Sequence, residues 1–215
     1  MLAETTQANK IPIFYSHMIA SEAFLLKNLH ECNTGAKPNL CQHGAQFLRT
    51  HRERILNRYM HYAYSIADKI GRSAFCVFLI EPDFYQYYGS AEQKGGAVKG
   101  EEMRSLFDEI ATTVRESLPN AAISWDVSAW LSEEEMTKWW AYFANSTQID
   151  FVHTSSGESR ADIEEVQVGQ LKWKFVSELT GKRIIADTGY GEKGHSNWLV
   201  LMCGFHRWIY DLFFV

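Results

Sequence analysis

The sequence has few of the features that mark specialised folds. Its 215 residues include only four cysteines and four prolines. Four cysteines are too few for a disulfide scaffold, and none of Cys32, Cys41, Cys76 and Cys203 stands in a C-x-x-C zinc pattern. A G-x-S-x-G elbow, a P-loop and a G-x-G-x-x-G turn are all missing, which argues against serine hydrolases, P-loop NTPases and dinucleotide enzymes. His17 and His153 have no metal-ligand spacing with any other residue, so neither a metal nor another cofactor is expected. Positive charge is scarce: 21 Lys and Arg stand against 26 Asp and Glu, for a net charge of −5. A nucleic-acid surface normally has the opposite sign. A membrane-spanning run is absent as well, because the most apolar stretch, 198–215, carries His206, Arg207 and Asp211. Residues 1–10 are polar and lack the apolar core of a signal peptide, so they are expected to be a disordered N-terminal segment.

What is present is a globular composition, 46% hydrophobic and 22% charged, with aromatics at 14%. Such an aromatic content either fills a core or lines a site that stacks on flat ligands. The chain alternates strand-like and helix-like stretches. Ile11–Ile19 reads as a strand, followed by a polar loop over 30–43. Cys32 and Cys41 flank its polar stretch 33–39, and a disulfide between them and two free thiols are equally open. Residues 45–70 place Leu48, Ile55, Tyr59, Tyr62, Ile66 and Ile70 on one helical face. The apolar run 74–80 reads as a buried parallel strand with Cys76 inside it. Helix 101–118, strand 121–129, a helix opened by the Ser132/Glu135 capping box, strand 149–153, helix 161–179 and strand 182–186 complete the series. The basic stretch His51, Arg52, Arg54 and Arg58 reads as a solvated helix face.

Strands alternating with helices imply an α/β fold with a parallel sheet. No Gly/Ser/Pro linker divides the chain, so 11–191 reads as one domain and 192–215 as an atypical apolar tail. In parallel α/β folds the ligand site lies at the carboxyl ends of the strands. Each strand here ends in polar or aromatic residues: Tyr15 and His17, Glu81 and Asp83, Trp125 and Asp126, His153, and Asp187 with Tyr190. The sharpest element is Glu81-Pro82-Asp83, two carboxylates that repel unless one is protonated or bonded to a donor. Such a pair can perform acid/base work or order a sugar; alternatively, one member caps a helix or pairs with an arginine. Asp126 lies between Trp125 and Trp130, which reads either as a carboxylate beside a stacking platform or as a strand end with two core tryptophans. Asp187 opens a glycine-rich turn that needs no function to explain it.

Three of these segments carry a resemblance. Residues 77–83, Val-Phe-Leu-Ile-Glu-Pro-Asp, are similar to the strand-end motif of glycoside hydrolase family 6, the cellulases and cellobiohydrolases. Residues 118–126, with Leu118-Pro119-Asn120 leading into Trp125-Asp126, and residues 184–189, ending in Asp187-Thr188-Gly189, resemble two later strands of that family. The resemblance spans 11–191 and is confined mostly to these motifs. It implies a TIM-type parallel β/α barrel, distorted or incomplete, that binds a β-glucan-type polysaccharide and hydrolyses it with inversion. Catalytic roles would fall to Asp83, Glu81, Asp126 and Asp187. Substrate contacts would come from Trp125, Trp130, Tyr15, His17, His153 and Tyr190. Asp83 would support charge and tune the acid. The family's general acid has no counterpart motif over 16–44, where only Glu22 and Glu31 are acidic. Family members are extracellular. A barrel usually needs ~250 residues, and Ile11–Ile19 best matches the family's second strand, so a truncated or divergent member is expected. A non-catalytic carbohydrate-binding domain is the alternative.

Overall fold

The computed structural model describes residues 11–82, 84–89, 98–155, 158–188, 199–203 and 206–209. Residues 1–10 and most of 192–215 lie outside this set. Five strands form a parallel sheet in chain order: β1 (Ile13–Ser16), β2 (Cys76–Ile80), β3 (Ala121–Asp126), β4 (Phe151–His153) and β5 (Arg183–Asp187). The sheet curls into a half-barrel, an α/β arrangement. Six helices accompany it among the described residues: α1 (Met18–Lys27), α2 (Leu40–Ile70), α3 (Phe84–Gly89), α4 (Gly100–Ser117), α5 (Glu133–Phe143) and α6 (Trp173–Thr180).

Local chemistry sets the elements. All five residues of β2, Cys-Val-Phe-Leu-Ile, are buried, as expected of a strand covered on both faces. In α4, Met103, Leu106, Phe107, Ile110 and Val114 form one buried stripe at helical spacing. The Ser132 hydroxyl accepts from the Glu135 amide and Glu135 reaches back to Ser132, so α5 opens with the expected capping box. Gly181, at φ 62°, ends α6 in the left-handed conformation that glycine adopts without steric cost.

Helix residues and the strand residues Phe14, Phe78, Ile123, Trp125, Val152 and Ile184 make one large core on the outer face of the sheet. The inner face carries a small separate cluster of Ile13, Val77, Leu79, Ala122 and Ile185, flanked by Tyr15 and Phe151. Because side chains alternate along a strand, the two faces have different compositions: bulky and apolar outside, increasingly polar inside toward the carboxyl ends.

Several segments differ from the sequence reading. The first strand is only four residues long, and the chain turns into α1 at Met18. Residues 161–172 are not helical. There the Val166 amide donates to the Leu171 carbonyl, a bridge joins Glu165 to Lys172, and Gly169 takes φ 81°, so the chain folds back on itself before α6 starts. Beyond β5 the sheet continues into β6 (Leu199–Cys203) and β7 (His206–Ile209), both antiparallel to their neighbours. The segment read as an atypical apolar tail thus supplies two strands of the sheet. The basic face of α2 is also partnered: Arg52 meets Glu109, and Arg54 and Arg58 both approach the buried Glu22. Cys32 and Cys41 form a disulfide. Closing a loop of nine residues restricts the unfolded chain by about 2.5 kcal/mol on the entropy model. Cys76 is buried and free.

Glu81 ties the first half of the fold together. It follows β2 at φ 44°, a left-handed backbone that a glutamate rarely adopts. This turns its side chain away from the inner face and under α1. There one oxygen, Oε1, accepts from the Met18 amide at 2.7 Å, the Ile19 amide at 3.0 Å and the Tyr59 hydroxyl at 2.5 Å. Ser16 Oγ lies 3.2 Å from the same Tyr59 hydroxyl and donates to the Leu79 carbonyl. Strands β1 and β2 and helices α1 and α2 thus meet at one buried carboxyl. Burial pushes the Glu81 carboxyl above its ordinary range, against the opposing pull of the His17 ring and these three donors. It also pushes the Tyr59 hydroxyl well above its own, with the Glu81 charge adding to the effect. The second oxygen, Oε2, is buried and has no partner among the described residues, a natural position for a proton.

A carboxyl with a raised folded pKa favours the fold most at acid pH, and this contribution fades as the pH rises through the folded value. Glu81→Gln keeps the accepting oxygen and stays neutral. The melting temperature of the natural chain minus that of Glu81→Gln should therefore fall as the pH goes from acid to neutral. A difference that grows with pH would show that the carboxylate is the favoured buried form.

Candidate functional site

The site is built at the carboxyl ends of β3, β4 and β5. The register pairs Asp126 with His153, and His153 with Ile185, two residues before Asp187. Paired residues of parallel strands share a face, and alternation puts Ser124, Asp126, His153 and Asp187 on the inner one. His153 Nδ1 lies 3.0 Å from the Ser124 hydroxyl, and Nε2 lies 3.8 Å from Asp126 Oδ1. The Ser128 hydroxyl donates to Asp126 Oδ2 at 3.3 Å. The loops above are stitched to the same rim. The Asp187 amide donates to the Thr154 hydroxyl, Thr154 and Ser159 share a 2.6 Å hydroxyl contact, and the Ser159 amide donates to the Asp187 carbonyl. Ser124, Asp126, Ser128, His153, Thr154, Ser159, Asp187 and Thr188 are all buried. A band of buried polar groups this long is unusual for a purely structural strand end, where apolar residues cost less to bury.

Burial pushes the His153 imidazole down to about 3, although a backbone hydrogen bond at Trp125 acts in the other direction. The ring is therefore neutral at physiological pH, and its approach to Asp126 is not an ion pair. A neutral imidazole between a hydroxyl and a carboxylate can pass a proton or hold an orientation, but it supplies no charge.

The sequence-predicted residues separate into three groups. Asp126, His153 and Asp187 come together on the rim as expected. Glu81 does not join them, because its left-handed backbone commits the carboxyl to the α1 anchor. Trp125 also lies elsewhere: it is 1% exposed and packs on the outer face against Trp139, Trp140 and Phe143, so it offers no stacking surface. Asp83 and Tyr190 lie outside the described residues. Tyr15 sits half-buried beside the inner cluster. His17 follows β1, with Nε2 3.2 Å from the Tyr87 hydroxyl and Nδ1 3.7 Å from Glu31.

Trp130 is 53% exposed, in the loop after β3. Its ring meets Tyr85 edge-on at 5.5 Å, and Tyr85 continues to Tyr88, which stacks on Trp139 at 4.8 Å. Tyr85 and Tyr88 belong to the short helix that follows β2, so this aromatic ramp rises from the same end of the sheet as Asp126. Sequence reasoning named Trp130 but not Tyr85 and Tyr88, although their one-turn spacing was a usable signal. It missed Ser124 too, which strand alternation places on the same face as Asp126.

Among the described residues no group of acidic, His or Cys side chains is arranged to hold a metal ion, and no helix is long and apolar enough to cross a membrane. The sequence matches no family model and no curated protein.

If the His153 ring is as dry as this geometry requires, its NMR shifts should stay flat from about pH 8 to about pH 5, the range in which an ordinary histidine titrates. A midpoint inside that window would mean that water reaches the ring.

Proposed function

We propose that the chain is a glycoside hydrolase-like protein that acts on a β-glucan-type polysaccharide by acid/base hydrolysis, in a β/α barrel-like setting related to family 6. The observation that carries this reading is the meeting of Asp126, His153 and Asp187 on one carboxyl rim. Carboxyl pairs at such a rim are what inverting hydrolysis needs: one protonates the departing glycosidic oxygen, while the other takes a proton from the attacking water. Asp126 and Asp187 are the two carboxyls proposed for this work, and the motif resemblance assigns Asp83 the support of charge. The Ser128 hydroxyl holds Asp126, and His153, itself set by Ser124, lies beside it. The ramp of Trp130 and Tyr85 suits a pyranose ring, whose apolar faces stack on aromatic planes. The Cys32–Cys41 disulfide fits an oxidising, extracellular setting.

A second reading has its own support. Asp126, His153 and Asp187 are all buried and Glu81 is used as an anchor, an arrangement that also suits a non-catalytic carbohydrate-binding domain.

Release of reducing ends and binding, measured together on β-1,4- and β-1,3-glucans, separate the two. Under the catalytic reading, Asp126→Asn lowers turnover about a hundredfold or more with binding retained, because one of the two proton-transferring carboxyls is lost. Trp130→Ala weakens binding about tenfold, as expected for the loss of one stacked ring. Binding without turnover in the natural chain selects the binding domain. Neither binding nor turnover on any glucan rejects both.

A further inference from the structure

A cavity lies among the helices, lined by none of the rim residues. It is an open cleft bordered by the end of α1, the disulfide-closed loop and the first half of α2, and no residue lining it belongs to the sheet. Its volume is about 350 Å³, within the range that small-molecule sites occupy. The floor is apolar: Leu29 and Phe47 are buried beneath it, and Pro38 forms one wall. The polar groups lining it are Lys27, His43, Gln46, Thr50 and His51, with no carboxylate among them. In a chain with a net charge of −5, a pocket edged only by basic groups and uncharged polar side chains is a departure from the average surface.

The frame around the pocket is fixed before any ligand arrives. The disulfide closes the loop, the His30 amide donates to the Pro38 carbonyl, and the Leu40 amide donates back to the His30 carbonyl. The Asn39 side chain accepts from the Gln42 amide and so caps α2 beside the opening. Within α2, His51 departs from helical dihedrals at φ −117° and ψ 18°, and its ring lies 4.7 Å from that of Phe47. An apolar floor, the half-buried His51 ring, and the Lys27 charge with the His43 ring at the edge together suit a flat anion.

We propose that this pocket binds a small flat organic anion, an aromatic carboxylate or sulfonate, with its ring against the half-buried His51 imidazole and its acid group toward Lys27 and His43. The proposal does not depend on what the rim does.

The test uses 2-naphthoate and its neutral counterpart 2-naphthamide, titrated into the full chain and followed by amide NMR. Saturable one-to-one shifts centred on 27–51 are expected for naphthoate, with the amide binding about tenfold more weakly because it lacks the charge. Lys27→Gln should weaken naphthoate about threefold to fivefold, the effect of removing one exposed charge partner. Thr50→Tyr, an exposed change that fills the opening, should abolish binding with the melting temperature unchanged. Shifts scattered over the surface, equal affinity for the acid and the amide, or binding that survives Thr50→Tyr would each overturn the proposal.

Discussion

Glu81 is the point at which the first half of this molecule is held. The backbone there is left-handed, the side chain is buried, and a single oxygen receives three donors from α1 and α2. The first amides of α1 would otherwise be orphaned in the core, because a helix leaves its initial N–H groups without internal partners. Glu81 satisfies two of them, and the Tyr59 hydroxyl joins from α2. That fixes how β1 enters α1, how α2 lies across β1 and β2, and so where the rim of the sheet begins. A carboxyl with this structural duty is a poor choice for chemistry on a substrate, and its removal from the catalytic set follows from geometry.

The rim depends on a different constraint, the two-residue period of strands. Ser124 and Asp126 share the inner face with His153 of the neighbouring strand, while Trp125 between them faces the helices. The polar groups are thus gathered at the carboxyl end of the sheet's inner surface, and the outer surface is left to aromatic packing. Burial keeps His153 neutral, so the rim carries no imidazolium there.

Much of this was legible in the sequence, for specific reasons. Four of the parallel strands announced themselves as apolar runs ending in polar residues, and α4 and α5 by their stripe and capping box. Asp126, His153 and Asp187 were readable as strand ends. Glu81 was not separable from Asp83 without its backbone angle, because a positive φ in a glutamate has no sequence signature. Grouping Trp125 with Asp126 overlooked that adjacent strand residues face opposite ways. Residues 161–172 carry apolar positions that mimic a helix, and only the turn at Gly169 and the bridge behind it show the hairpin-like path. Tyr85, Tyr88 and the cavity beside Phe47 depend on side chains brought together from separate elements, which composition and spacing do not reveal.

The central claim is that the carboxyl rim of β3, β4 and β5 is where a glycan binds. A crystal structure of the chain soaked with a β-1,4-linked oligosaccharide tests it directly. The account predicts sugar rings lying along Trp130 and Tyr85 with a glycosidic oxygen beside Asp126 and Asp187. Sugar bound at the opposite end of the sheet, or on the helical layer alone, would contradict it.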